Sequence, residues 1–145
     1  KFDYSIKTIV ENAAKIYVDN NKELIDEKIT SNNGKYCLPV ATLSSYDYLD
    51  TPIKKSDGEN LNLKSCVYIT KENEDNNIKY HGIIDLMLEY SDKICIIDYK
   101  LKNIDDENYI KQLSVYYDYV KSISDKNIEL YLYSILDNVV KKVGV

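Results

Sequence analysis

Arginine and tryptophan are absent from this chain, and phenylalanine, histidine and methionine occur once each. All 19 basic residues are therefore lysines, against 24 acidic ones, for a formal net charge of −5. Proteins that hold nucleic acid by general attraction to phosphate are basic. That mode is excluded, and any nucleic-acid role must rest on a local groove or on partner domains. With four Gly and two Pro in 145 residues, collagen-like and low-complexity architectures are also excluded. No apolar run approaches the roughly 18 residues of a membrane span, and no signal peptide opens the chain, so no membrane association is expected. Three scattered cysteines, Cys37, Cys66 and Cys95, read as neither an even disulfide set nor a metal knuckle, which points to a reducing, cytoplasmic setting.

What is present suits one folded domain over residues 1–145, since 44% apolar and 30% charged residues are ordinary for a soluble core-forming chain. The chain opens on Lys1, not Met, so it reads as a piece of something longer. Fifteen tyrosines offer stacking surfaces for bases, but enrichment in Lys, Asn, Ile and Tyr together reads more simply as a coding bias.

The three-to-four spacing of Ile6, Ile9, Val10, Ala13, Ala14 and Tyr17 predicts a helix from about Ser5 to Asn20, with Ser5 as its cap. Leu24–Thr30 reads as a strand and Ser31–Gly34 as a turn. Between Cys37 and Asn62 the pattern is broken by Pro39, Pro52 and Gly58, with a short helix near Ser44–Leu49. Lys64–Thr70 reads as a strand followed by a polar turn over Glu72–Asn77. Ile78–Tyr90 and Ile94–Lys100 read as a hairpin joined through Ser91-Asp92-Lys93. A helix over Glu107–Ile123 carries the stripe Ile110, Leu113, Tyr117 and Val120, followed by a strand at Ile128–Ile135 and a further one over Val139–Val145. The order predicts an α/β fold with a mixed sheet.

Chemistry concentrates in His81-Gly82-Ile83-Ile84-Asp85, Ile96-Ile97-Asp98-Tyr99-Lys100 and the helical Tyr109–Tyr116. Alternation puts Ile83, Asp85, Met87 and Glu89 on one face of the first strand, and His81 on that face too, as a strand residue more than a ligand. Asp98 and Lys100 share a face of the second. A two-residue loop of Ser91-Asp92 sets Asp85 across from Asp98; a loop of Asp92-Lys93 sets it across from Lys100. Either way the three side chains share one face; a three-residue loop without a bulge would separate Asp85 from the other two. Two carboxylates ~4 Å apart at an effective dielectric near 20 repel by about 4 kcal/mol. A hard divalent cation such as Mg²⁺ removes that penalty, and Lys100 is placed to activate water and offset charge on a phosphoryl transition state. Gln112 and Tyr116, at i and i+4, sit on one helical face with Tyr109 and Tyr119 beside it. Lys102, Lys111 and Lys121 are the local candidates for contact with a phosphate backbone.

The ordered set G-I-I-D, D-Y-K and Y-x-x-Q-L-x-x-Y, over about His81 to Val143, resembles the PD-(D/E)xK nuclease domain at the C-terminus of AddA/RecB-type helicase–nucleases. The resemblance implies a restriction-endonuclease-like core, a mixed central sheet flanked by helices, excised from a longer helicase–nuclease chain. It implies Mg²⁺-dependent (or Mn²⁺-dependent) exonuclease-like cleavage of DNA, single strands above all, fed by a helicase motor in the same chain, with or without a second nuclease/helicase subunit, in DNA repair. Asp85 and Asp98 would be metal ligands, Lys100 the catalytic lysine, and the Tyr99 carbonyl part of the metal shell; Gln112 and Tyr116 would form the supporting helical motif. Members often carry a further His or Glu ligand on the first helix; Glu11 is the candidate here, with Glu27 behind it. A missing first-helix ligand would favour the alternative, an inactive nuclease-like domain used for DNA binding or partner docking.

Overall fold

A computed structural model describes residues 2–73, 79–100 and 107–144, with the backbone alone at 72, 73, 79–82, 84, 107, 108 and 112. Its frame is a six-stranded mixed sheet in the order β1 (Lys35–Pro39), β2 (Cys66–Asn73), β3 (Lys79–Glu89), β4 (Lys93–Lys100), β5 (Asn127–Ser134) and β6 (Val139–Val143). Every neighbouring pair is antiparallel except β4 and β5, which run parallel and are joined by the crossover helix α4 (Glu107–Ile123). The mixed α/β architecture, with helices flanking a central sheet, agrees with the sequence reading. No helix among the described residues is long and apolar enough to cross a membrane.

Each face of the sheet has its own core. On one, Leu86, Leu88, Cys95, Ile97 and Tyr131 pack under α1 (Tyr4–Asn20), α2 (Lys22–Ser31) and α3 (Val40–Ser45). On the other, Ile94, Ile96, Leu130, Leu132 and Val143 pack under Leu113 and Val120 of α4. Strands buried on both sides explain the near-continuous apolar runs of β3 and β4. Of the predicted α4 stripe, Ile110 is the one member left exposed.

Several local expectations are corrected. Asp3, not Ser5, caps α1: its carboxylate accepts from the Ser5 and Ile6 amides at 3.1 and 3.2 Å. Leu24–Thr30 is helical, because Ile25 and Ile29 are the buried pair at i and i+4 and the residues between them face outward. Glu27 is accordingly an exposed helix residue. α2 ends in the predicted turn, with Asn33 and Gly34 at φ +59° and +92° and the Gly34 amide bonded back to the Ile29 carbonyl at 2.9 Å. In the illegible stretch a strand precedes the short helix, which lies at Val40–Ser45 and not at Ser44–Leu49. The Glu72–Asn77 turn falls partly outside the described residues, and Lys102 wholly so.

The cysteine reading is also corrected. Cys37 and Cys66 form a disulfide between β1 and β2, with Cα atoms 5.4 Å apart; Cys95 is free and buried. Partners 29 residues apart in sequence meet only once the strands pair, so spacing alone did not reveal them.

Candidate functional site

The β3–β4 turn decides the site. The Tyr90 amide bonds the Lys93 carbonyl at 2.8 Å, leaving Ser91-Asp92 as a two-residue loop, and this register sets Asp85 directly across from Asp98. A bulge follows: Tyr68 pairs with Asp85 but Ile69 pairs with Ile83, so β3 carries one extra residue at Ile84. Alternation is reset there. Ile83 packs toward the α1 face while Asp85 points under α4, contrary to the expectation that the two share a face. The side chain of His81, farther along the bulged strand, lies outside the described residues, as does that of Gln112.

Asp85 and Asp98 are 2% and 5% exposed, the two buried acids among the described residues. With Lys35, Tyr99, Lys100, Val115 and Tyr116 they line an open cleft of about 460 Å³. The Tyr116 hydroxyl of α4 donates to Asp85 Oδ2. Lys100 Nζ stands 3.2 Å from Asp98 Oδ2 and 4.5 Å from the Tyr109 ring centroid. Burial and the adjacent Asp98 carboxyl push Asp85 up to about 8, against the opposing pull of the Tyr116 hydrogen bond and the Lys35 charge. Burial and the hydrogen bond to Asp85 push the Tyr116 phenol far above its ordinary range, so it keeps its proton as the donor.

Two oxygens stay unsatisfied among the described residues. Asp85 Oδ1 and Asp98 Oδ2 are buried without a hydrogen-bond partner, the latter facing Lys100 as an ion pair only. Burial without a hydrogen bond costs free energy. Hard-oxygen donors on directly paired strand positions, two of their oxygens without a hydrogen bond, are what a small divalent cation takes up, so this donor set fits one.

Glu11 is not brought to this pair. Successive β4 residues point to opposite faces, and the Tyr99 hydroxyl, on the α1 side, donates to Glu11 Oε2 at 3.2 Å. Lys7 and Lys15 each lie 2.9 Å from the Glu11 carboxylate. Burial pushes Glu11 up, but these two lysines outweigh it and hold its carboxyl below the ordinary range. Among the described residues it is a saturated group behind the strand, and the structure does not bring it to the acid pair. No cluster of three His, Cys, Asp or Glu side chains suited to a metal occurs among the described residues.

Sequence reasoning missed Lys35. A lysine just after a turn reads as a solvated residue; only the β1–β2 pairing carries it to the cleft, where its ammonium lies 5.7 Å from the Tyr116 ring centroid. Comparison with family models, with curated proteins and with solved structures finds no match to the chain.

Proposed function

We propose that the chain is a metal-dependent deoxyribonuclease module of the PD-(D/E)xK kind, with a restriction-endonuclease-like core, cutting phosphodiester bonds of DNA delivered by a helicase motor. The observation that carries this reading is the direct pairing of two buried aspartates on one sheet face, each with an unsatisfied oxygen, with Lys100 beside them. Asp85 and Asp98 would hold Mg²⁺, or Mn²⁺ in its place; when bound, the ion supplies charge neutralisation between the carboxylates and polarisation of the phosphate. Lys100, steadied by Asp98 and the Tyr109 ring, orients the attacking water and offsets charge on the phosphoryl oxygens as the P–O ester bond breaks. Tyr116 fixes the Asp85 carboxyl by donating to it.

A second reading, an inactive nuclease-like domain that binds DNA or docks a partner, is favoured by the position of Glu11, which leaves the pair without a third acid among the described residues. Incubating labelled single-stranded DNA with Mg²⁺ or Mn²⁺ separates the two. The nuclease reading expects cleavage by the wild type that falls by about 10²–10³-fold or more in Asp98→Ala and in Lys100→Ala. Binding without cleavage favours the second reading; neither binding nor cleavage counts against both.

A further inference from the structure

We propose that Lys35 is a second cation of the cleft that binds the backbone phosphate next to the scissile one, and that the Cys37–Cys66 disulfide holds the strand that presents it. The inference rests on the nuclease reading above. Two lysines border the acid pair from opposite sides. Lys100 lies over Tyr109 and pairs with Asp98; Lys35 lies by Tyr116, the residue that donates to Asp85. Those lysines rise from β1 and β4, three strand spacings or about 14 Å apart across the sheet. Cations rooted that far apart suit two neighbouring phosphates better than one. Lys35 makes no ion pair among the described residues, unlike Lys7, Lys55 and Lys93, whose charges are met by carboxylates. Its cation is therefore open to an anionic ligand.

The position of Lys35 is set from both sides. Before it comes the tight turn at Asn33-Gly34, and two residues after it Cys37 is tied to Cys66. β1 is an edge strand of five residues with a hydrogen-bonded neighbour on one side only. The disulfide is its one covalent tie to the sheet, and it lies two residues from Lys35 along the strand, where alternate residues share a face.

The test uses labelled single-stranded DNA and the full chain. Lys35→Gln is expected to raise KM about 10-fold with kcat within twofold, and to lower the slope of log Kd against log salt by about 0.7; Lys35→Arg is expected to restore both. The double variant Cys37→Ser/Cys66→Ser is expected to raise KM two- to threefold in the wild type and not further in Lys35→Gln. An unchanged KM and salt slope in Lys35→Gln, or failure of the arginine to rescue, overturns the role of Lys35. An unchanged KM in the double variant overturns the role of the disulfide. DNA binding with a Lys35-dependent slope but no cleavage overturns the nuclease reading while leaving Lys35 as a phosphate contact.

Discussion

The end of β4 carries acid on both sides, and the two sides are treated in opposite ways. On the α1 side, Glu11 receives Lys7, Lys15 and the Tyr99 hydroxyl. Lys7, itself buried, is seated against the Tyr133 and Tyr99 rings at 3.8 and 5.1 Å. Every charge there is answered. On the α4 side, Asp85 and Asp98 face each other with one lysine ion pair and one tyrosine hydroxyl between them, and two of their oxygens have no hydrogen-bond partner among the described residues. One acid is integrated into the fold, whereas the other two are held at a cost that a bound cation would relieve. Electrostatic shortfall at a cleft, more than the presence of acid, distinguishes a candidate site from a structural ion pair.

The sharpest way to break this contrast is to empty the saturated side. Lys7→Ala leaves the Glu11 carboxylate with the exposed Lys15 as its remaining ammonium and should destabilise the protein by about 3–5 kcal/mol in a denaturant titration. Magnesium uptake by the folded fraction should not change. A small stability change would mean the α1 side is not the structural half.

Next in size is the opposite response on the α4 side. The folded Asp85 holds its proton up to about 8, far above the ~3.9 of an unfolded chain, so the folded state binds the extra proton between those values. Its contribution to stability is therefore fully present below pH 4 and lost as pH rises toward 8, by at most about 1.4 kcal/mol per pH unit. Asp85→Asn should stabilise the metal-free protein at pH 8 by roughly 2–4 kcal/mol and by little at pH 4. Melting curves across this range check it, and a destabilised variant at pH 8 would reverse the account. A smaller effect is expected from Tyr116→Phe, which removes the donor to Asp85: stability should fall by about 1–2 kcal/mol, because a buried acceptor loses its partner, and Mg²⁺ affinity about 10-fold.

How much of this was legible follows from which interactions are local. The α4 boundaries at Glu107–Ile123 were readable because apolar spacing and polar flanks coincide over many turns. The Asp85–Asp98 pairing was readable as one of three hairpin arrangements, and the turn geometry chose among them. By contrast, the bulge at Ile84 leaves no trace in composition, so the face of Ile83 was misassigned. α2 was misread because Leu24 and Ile25 adjoin as they would in a strand, while only Ile25 and Ile29 are buried. Glu11 occupies a helix position from which family resemblance expects a ligand, yet strand alternation at Tyr99 sends it to the other side of the sheet. Lys35 and the Cys37–Cys66 bond depend on pairing between strands separated by a long irregular segment, which no local pattern reports.

The claim beneath all of this is that the Asp85–Asp98 pair, and not Glu11, takes up a divalent ion. Isothermal titration of the full chain with Mn²⁺ or Mg²⁺ at pH 7–8, in buffers of differing ionisation enthalpy, tests it most directly. The account predicts one ion per chain with proton release, abolished in Asp85→Asn and Asp98→Asn and retained in Glu11→Gln. No uptake by the wild type, or uptake that survives both aspartate substitutions, would contradict it.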